Sequence, residues 1–117
     1  MAVPHPIPEP LAQVIAERFR VLSEPMRLRL LDSLRDGEST VGELAARLET
    51  SQQNVSKHLG VLASAGLVER RKEGTAVRCR IADASVFALC DLVCGGVSRQ
   101  IAELQHLIDG TASEASR

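Results

Sequence analysis

Apolar residues recur at helical spacing in five stretches of the chain and alternate with polar ones in two others. From Leu11, the positions Leu11, Val14, Ile15, Phe19 and Leu22 stand three or four residues apart, which predicts a helix. Ser23-Glu24-Pro25 breaks it and starts a second helix, with Pro25 at the first helical position. Leu28, Leu31 and Leu34 give this second helix a buried stripe, and Asp36-Gly37 ends it. A short helix follows from Val41 to Leu48, with Val41, Leu44, Ala45 and Leu48 on one face. Ser51 opens a fourth helix, Gln52 to about Ala65, because its hydroxyl can accept from the free amides of the first turn. Val55, Leu59 and Leu62 face inward, which leaves Gln52, Gln53, Asn54, Ser56, Lys57 and His58 outside. Gly66 stops the helix in a left-handed conformation.

Val68–Lys72 and Ala76–Ile81 read as the strands of a β-hairpin around Glu73-Gly74-Thr75. In the second strand Val77, Cys79 and Ile81 point one way and Arg78 and Arg80 the other, so an apolar inner face backs a cationic outer one. The last helix extends from Ala84 to about Ile108, with Val86, Cys90, Val93, Cys94, Val97, Ile101, Leu104 and Ile108 in one stripe. So long a stripe has little left to cover within one small chain, and it predicts burial against a second copy. Gly95-Gly96 in mid-helix costs about 1 kcal/mol per glycine relative to alanine. Either a partner backbone crossing close by or a kink accounts for that cost.

The chain has 117 residues, 44% of them hydrophobic, and a net charge of −1. That length supports one core, and the composition excludes a disordered chain, a two-domain enzyme and a disulfide scaffold. No unbroken run reaches the roughly 18 apolar residues of a membrane span. The N-terminus, MAVPHPIPEP, lacks the basic-then-apolar layout of a signal peptide. Three cysteines without staple-like spacing fit a reducing compartment, so the expected location is the cytoplasm. Prolines at 4, 6, 8 and 10 predict an extended arm over residues 1–10, followed by a folded body over 11–110 and a flexible tail over 111–117.

Charge is unevenly distributed along this body. Residues 51–82 carry Lys57, Arg70, Arg71, Lys72, Arg78 and Arg80 against Glu69 and Glu73, while both flanking segments are net acidic. A basic middle of this kind suits a polyanion. The element order is mainly α with a small β-hairpin, that of a winged helix-turn-helix. Its Gln52–Ala65 helix fits a major groove about 12 Å wide, and Ser51, Gln52, Gln53, Asn54, Ser56, Lys57 and His58 are of the types that read base edges or hold phosphate. Arg70, Arg71, Lys72, Arg78 and Arg80 supply phosphate contacts from the hairpin. An enzyme is excluded: the chain has no nucleophile–base pairing, no phosphate-cradling glycine loop and no ligand cluster beyond two cysteines.

Ser23-Glu24-Pro25-Met26-Arg27-Leu28, Val41-Gly42-Glu43-Leu44-Ala45, Ser51 to Leu59 and Ala65-Gly66-Leu67-Val68, with a basic wing after them, resemble the ArsR family of small bacterial winged-helix repressors. The likeness covers roughly residues 11–108. It implies a homodimer joined through the first and last helices, bound to an imperfect palindrome of double-stranded operator DNA and released by an inducer. Most of the family's sensing positions are vacant. Its short-helix cysteines would fall on Thr40 and Gly42, and its recognition-helix cysteines near Val61 and Ala65. Its last-helix metal site would fall on Asp83, Ser85, Gly96 and Arg99, of which only the aspartate could serve.

Cys90 and Cys94 remain. Their i,i+4 spacing puts both sulfurs on one helical face with Cβ atoms about 5–6 Å apart, which suits a soft ion such as Cu(I) or Zn(II), and the resemblance implies arsenite or Cd(II) as well. Cys79 or the other subunit could add a third thiolate. The same two cysteines also read as small core residues or as a thiol switch, which leaves a regulator without its own metal site, controlled by thiol oxidation or by a protein partner. His5, His58 and His106 form no ligand pattern.

Overall fold

In the computed structural model the described residues are 3–115, with side chains described through Gly110. They divide after Asp83 into two compact units.

The first unit opens with α1 (Glu9–Leu22) and α2 (Pro25–Ser33). Helix α1 begins two residues before the expected Leu11, inside the stretch expected to be an extended arm. Pro8 is its N-cap and Pro10 stands in its first turn, where a helix has no use for an amide donor. Helix α2 buries Leu30, Leu31 and Leu34, while Leu28, expected on the buried stripe, is 41% exposed. The inward face therefore runs through Arg27, Leu30, Leu31 and Leu34 at three- and four-residue steps.

A two-residue strand, β1 (Ser39–Thr40), leads into α3 (Val41–Arg47), and α4 (Gln52–Ser64) follows. Thr40 caps α3 by accepting from the Glu43 amide at 3.1 Å, and Ser51 caps α4 by accepting from the Asn54 amide at 3.0 Å. Between these helices Glu49 takes φ of 53°. Arg47 Nη1 donates to the Ser33 carbonyl at 3.2 Å and so ties α3 to the end of α2. The core is built from Leu30, Leu31, Leu44, Val55, Leu59, Leu62 and Leu67, each essentially inaccessible to water. Gly66 at φ of 77° ends α4.

The hairpin is β2 (Val68–Glu73) and β3 (Ala76–Ile81), closed by Gly74 at φ of 64° and Thr75. The sheet has a third strand that the hydrophobic pattern did not reveal: the order is β1-β3-β2, all antiparallel, with Ser39 opposite Cys79 and Thr40 opposite Arg78. Cys79 is buried at the middle of the central strand, and burial raises its thiol pKa, although Arg70 pulls it the other way.

The second unit is a single helix, α5 (Ser85–Ala115), longer than the expected span ending near Ile108. The expected tail over 111–117 falls on residues whose side chains lie outside those described. Leu92, Val93, Val97, Ile101, Leu104 and Ile108 are each about half exposed or more. By length and composition alone, Ser85–Gly110 could cross a membrane, with a mean hydropathy of 1.2 over its most apolar 18 residues. Asp91, Arg99, Glu103 and Asp109 break the apolar run in the sequence while leaving the stripe on one side of the helix.

Candidate nucleic-acid interface

Helix α4 is 13 residues, about 20 Å, long. Its first turn starts from the Ser51 cap and exposes Gln52, Gln53, Ser56 and Lys57 on the side away from Val55, Leu59 and Leu62. Three of the amides and hydroxyls already have geometry. The Gln52 amide nitrogen lies over Gly42 at the start of α3, 3.6 Å from where a Cβ would stand. Asn54 is half-buried and its Nδ2 donates to Thr50 Oγ1 at 3.0 Å, so the side chain braces the turn. The Ser51 hydroxyl is engaged as the cap. Gln53, Ser56 and Lys57 are the open tips. A cleft of about 320 Å³ separates this turn from the hairpin and is lined by Thr40, Gly42, Gln52, Ser56, Thr75 and Val77.

His58 corrects the sequence reading, which left it outside with the DNA-facing residues. It is 7% exposed, and its Nδ1 stands 3.2 Å from Arg27 Nη1. Its pKa is held below the ordinary 6.5, first by burial and then by Lys57 and Arg27, with Glu24 opposing. The apolar spacing of α4 could have shown this: residue 58 falls three after Val55 and four before Leu62.

The hairpin also differs from the cationic outer face expected. Register places Glu69 opposite Arg80, Arg71 opposite Arg78 and Glu73 opposite Ala76. Glu69, Arg71 and Glu73 therefore share a face with Arg78 and Arg80. Arg80 Nε donates to Glu69 Oε2 at 2.8 Å and Arg78 Nε to Glu73 Oε2 at 3.0 Å. Arg71 stands 3.5 Å from Glu73 and 3.8 Å from Glu38. Three arginines face three glutamates, so the outer face is an ion-pair ladder. Arg78 and Arg80 are held above their ordinary pKa, mainly by the hydrogen bonds to Glu73 and Glu69. Arg70 and Lys72 lie on the other face, and the Arg70 guanidinium reaches over Gly60 of α4. Arg78 is half-buried; Arg70, Arg71, Lys72 and Arg80 are exposed.

Cys90 is half-buried and Cys94 exposed, one turn apart on α5. Among the described residues, no group of three or more His, Cys, Asp and Glu side chains could hold a metal ion. Cys79 belongs to the first unit, and Cys90 and Cys94 to the second.

A capped, amide-rich helix beside a charged hairpin defines a winged helix-turn-helix regulator of transcription. Residues 22–71 match a family described as a helix-turn-helix domain. The chain is 40% identical over 81 residues to the biofilm growth-associated repressor of Agrobacterium fabrum, covering 69% of each protein. It superposes on the crystal structure of Rv0081 from Mycobacterium tuberculosis with a TM-score of 0.73 at 33% identity, covering 82% of this chain and 97% of that one. The solution structure of a homodimeric winged helix-turn-helix DNA-binding domain from Mycobacterium bovis, Mb0332, described as a possible ArsR-family regulator, matches with a TM-score of 0.70 at 33% identity, covering 86% and 94%. This chain belongs to the ArsR family of winged helix-turn-helix transcriptional regulators, DNA-binding proteins without catalytic activity.

Proposed function

We propose that this protein represses transcription as a homodimer on an inverted-repeat operator, under the control of thiol chemistry on α5. The exposed first turn of α4, held by the Ser51 cap beside the hairpin, carries this reading. Gln52, Gln53, Ser56 and Lys57 meet base edges in the major groove. Arg70, Arg71, Lys72, Arg78 and Arg80 bind phosphates, with Arg71, Arg78 and Arg80 exchanging their glutamate partners for DNA oxygens. Pairing of two copies through α1 and α5 covers Val14 and Phe19 as well as the α5 stripe, and it sets two recognition helices about 34 Å apart, one duplex turn. The likeness to a homodimeric domain supports a dimer. Asp91, Arg99, Glu103 and Asp109 suit a helix that faces protein on one side and water on the other, so a second copy covers α5 better than lipid does. The cytoplasm is the location that follows.

Peroxide would convert the exposed Cys94 thiol to a sulfenic acid with loss of one water. The Cys90 thiol would then displace a second water as the S–S bond forms. In an intact helix the two Cβ atoms stand about 5–6 Å apart, but a disulfide needs roughly 3.5–4.5 Å. The turn must therefore open, and Gly95-Gly96 beside it lowers the resistance. The same distance favours one second reading, a soft ion such as arsenite or Cd(II) bridging the two sulfurs with a third thiolate from the partner subunit.

The test uses duplexes selected from a randomised inverted-repeat pool. Binding should weaken linearly in log Kd against log salt, by about 0.9 per phosphate contacted. Peroxide should release the DNA from the wild type but not from Cys90→Ser, Cys94→Ser. Equal affinity for random duplexes, together with a monomeric solution mass, would refute the DNA reading. Release by Cd(II) but not peroxide would favour the bridging ion, and release from the double variant would eliminate both.

A further inference from the structure

Arg27 joins three helices at one point. Its Nε donates to the Val21 carbonyl at 2.6 Å, one of the carbonyls that α1 leaves unpaired at its C-terminal end. Its Nη1 reaches His58 Nδ1 on α4, 3.2 Å away. The guanidinium can span both because Arg27 lies on the same face of α2 as Leu30, Leu31 and Leu34. A guanidinium stays protonated and has only donors, so Nδ1 must be the acceptor. His58 is therefore neutral with its proton on Nε2.

We propose that Arg27 is a positioning residue for the recognition helix, acting through neutral His58, so that DNA binding requires this imidazole to be unprotonated. The inference rests on the DNA-binding reading above. Lys57, adjacent to His58 in sequence, is one of the open tips of the reading turn, so the strut holds α4 close to where it meets DNA. Protonation would turn the hydrogen bond into two cations at the same distance. The charged groups acting on the ring are Arg27 from α2, Lys57 on α4 and Glu24 at the α2 cap, and only Glu24 would favour the imidazolium. Burial disfavours it further. The imidazolium would expel the guanidinium and release α4 from the α1–α2 corner.

The sign follows from the lowered pKa: the strut is intact above about pH 6.5 and fails as pH falls through the lower folded value. The test measures Kd for the selected inverted-repeat duplex from about pH 8 to about pH 5.5 at fixed ionic strength, across the histidine range. The wild type should lose up to about tenfold in affinity per pH unit below the titration. His58→Asn places Oδ1 where Nδ1 stood and gains no proton, so it should bind nearly as well at the acid end as at the alkaline end. Arg27→Lys, which cannot span both acceptors, should bind more weakly throughout with a shallow pH profile. His5 and His106 remain in both variants, so any difference from wild type belongs to the strut. Parallel pH profiles for wild type and His58→Asn would overturn the proposal. Imidazole nitrogen shifts give a readout independent of DNA: an Nε2–H tautomer at pH 7.5 supports the acceptor role, and an Nδ1–H tautomer overturns it. Absence of DNA binding at every pH would count against the repressor reading, and the tautomer would then decide the strut on its own.

Discussion

Replacing Glu73 by glutamine should turn the charge-balanced outer face of the wing into a cationic one. On the outer face Arg71, Arg78 and Arg80 stand against Glu69, Glu73 and Glu38, and Glu73 pairs with two of the three arginines. Its carboxyl is held below the ordinary 4.5, first by the hydrogen bond from Arg78, then by the Arg78 charge and by Arg71. Because that pKa is lowered, the pairing persists above pH 4.5 and fades only as pH falls through the folded value. Between pH 5 and 8 the carboxylate is a constant, which separates its effect from that of His58. Such exposed pairs hold weakly, so the fold should not change. DNA binding should. In the wild type the Glu73 carboxylate that Arg78 leaves for phosphate takes a cation back from solution; if glutamine removes that uptake, the log Kd against log salt slope steepens by up to about 0.9, and the loss between about 50 and about 200 mM salt grows by up to about 3.5-fold. Affinity for random duplexes at low salt rises, so the ratio of selected to random binding narrows. Fluorescence anisotropy over a salt series, with both duplexes and both proteins, reads these quantities directly. A slope unchanged from wild type would refute the idea that the glutamates restrain the wing.

Gln53→Ala should narrow the same ratio without altering the salt slope, whereas Arg71→Ala with Arg78→Ala should weaken selected and random duplexes alike and flatten the slope; competition titrations distinguish the two patterns. Leu59→Ala empties a site with no solvent exposure and should cost about 2–5 kcal/mol in chemical denaturation. Ser51→Ala removes the acceptor of the Asn54 amide and should cost about 1 kcal/mol, with α4 fraying first in hydrogen exchange. Ile101→Glu with Leu104→Glu should lower the solution mass to that of one chain and abolish inverted-repeat preference together.

The helix order, the hairpin and the caps at Ser51 and Gly66 could be read from apolar spacing and turn chemistry, because those signals are local. What escaped was of two kinds. A count of apolar residues draws the α2 face through Leu28 and puts His58 on the outer side of α4, yet both inward faces include a polar residue satisfied by the other: Arg27 by His58. No rule based on hydrophobicity places a charged residue inward. The second kind depends on register. Glu69 and Arg80 are far apart in sequence, and they meet only because β2 and β3 pair without offset across Gly74-Thr75. Strand β1 leaves no mark in the sequence, since two residues are too few to show alternation. The thiols of α5 were legible as a pair, but the third ligand that a metal needs was not there to be found among the described residues.

Thr40 does two things at once: its backbone pairs with the central strand of the sheet, and its hydroxyl fastens the start of α3. If the sheet grips phosphate as proposed, Thr40 ties it to the helix-turn-helix as a gauge with a set span between its jaws. A gauge that cannot flex leaves the adjusting to what it measures. Operators would then be sorted partly by how cheaply their duplex bends to that span, at base pairs no side chain ever touches.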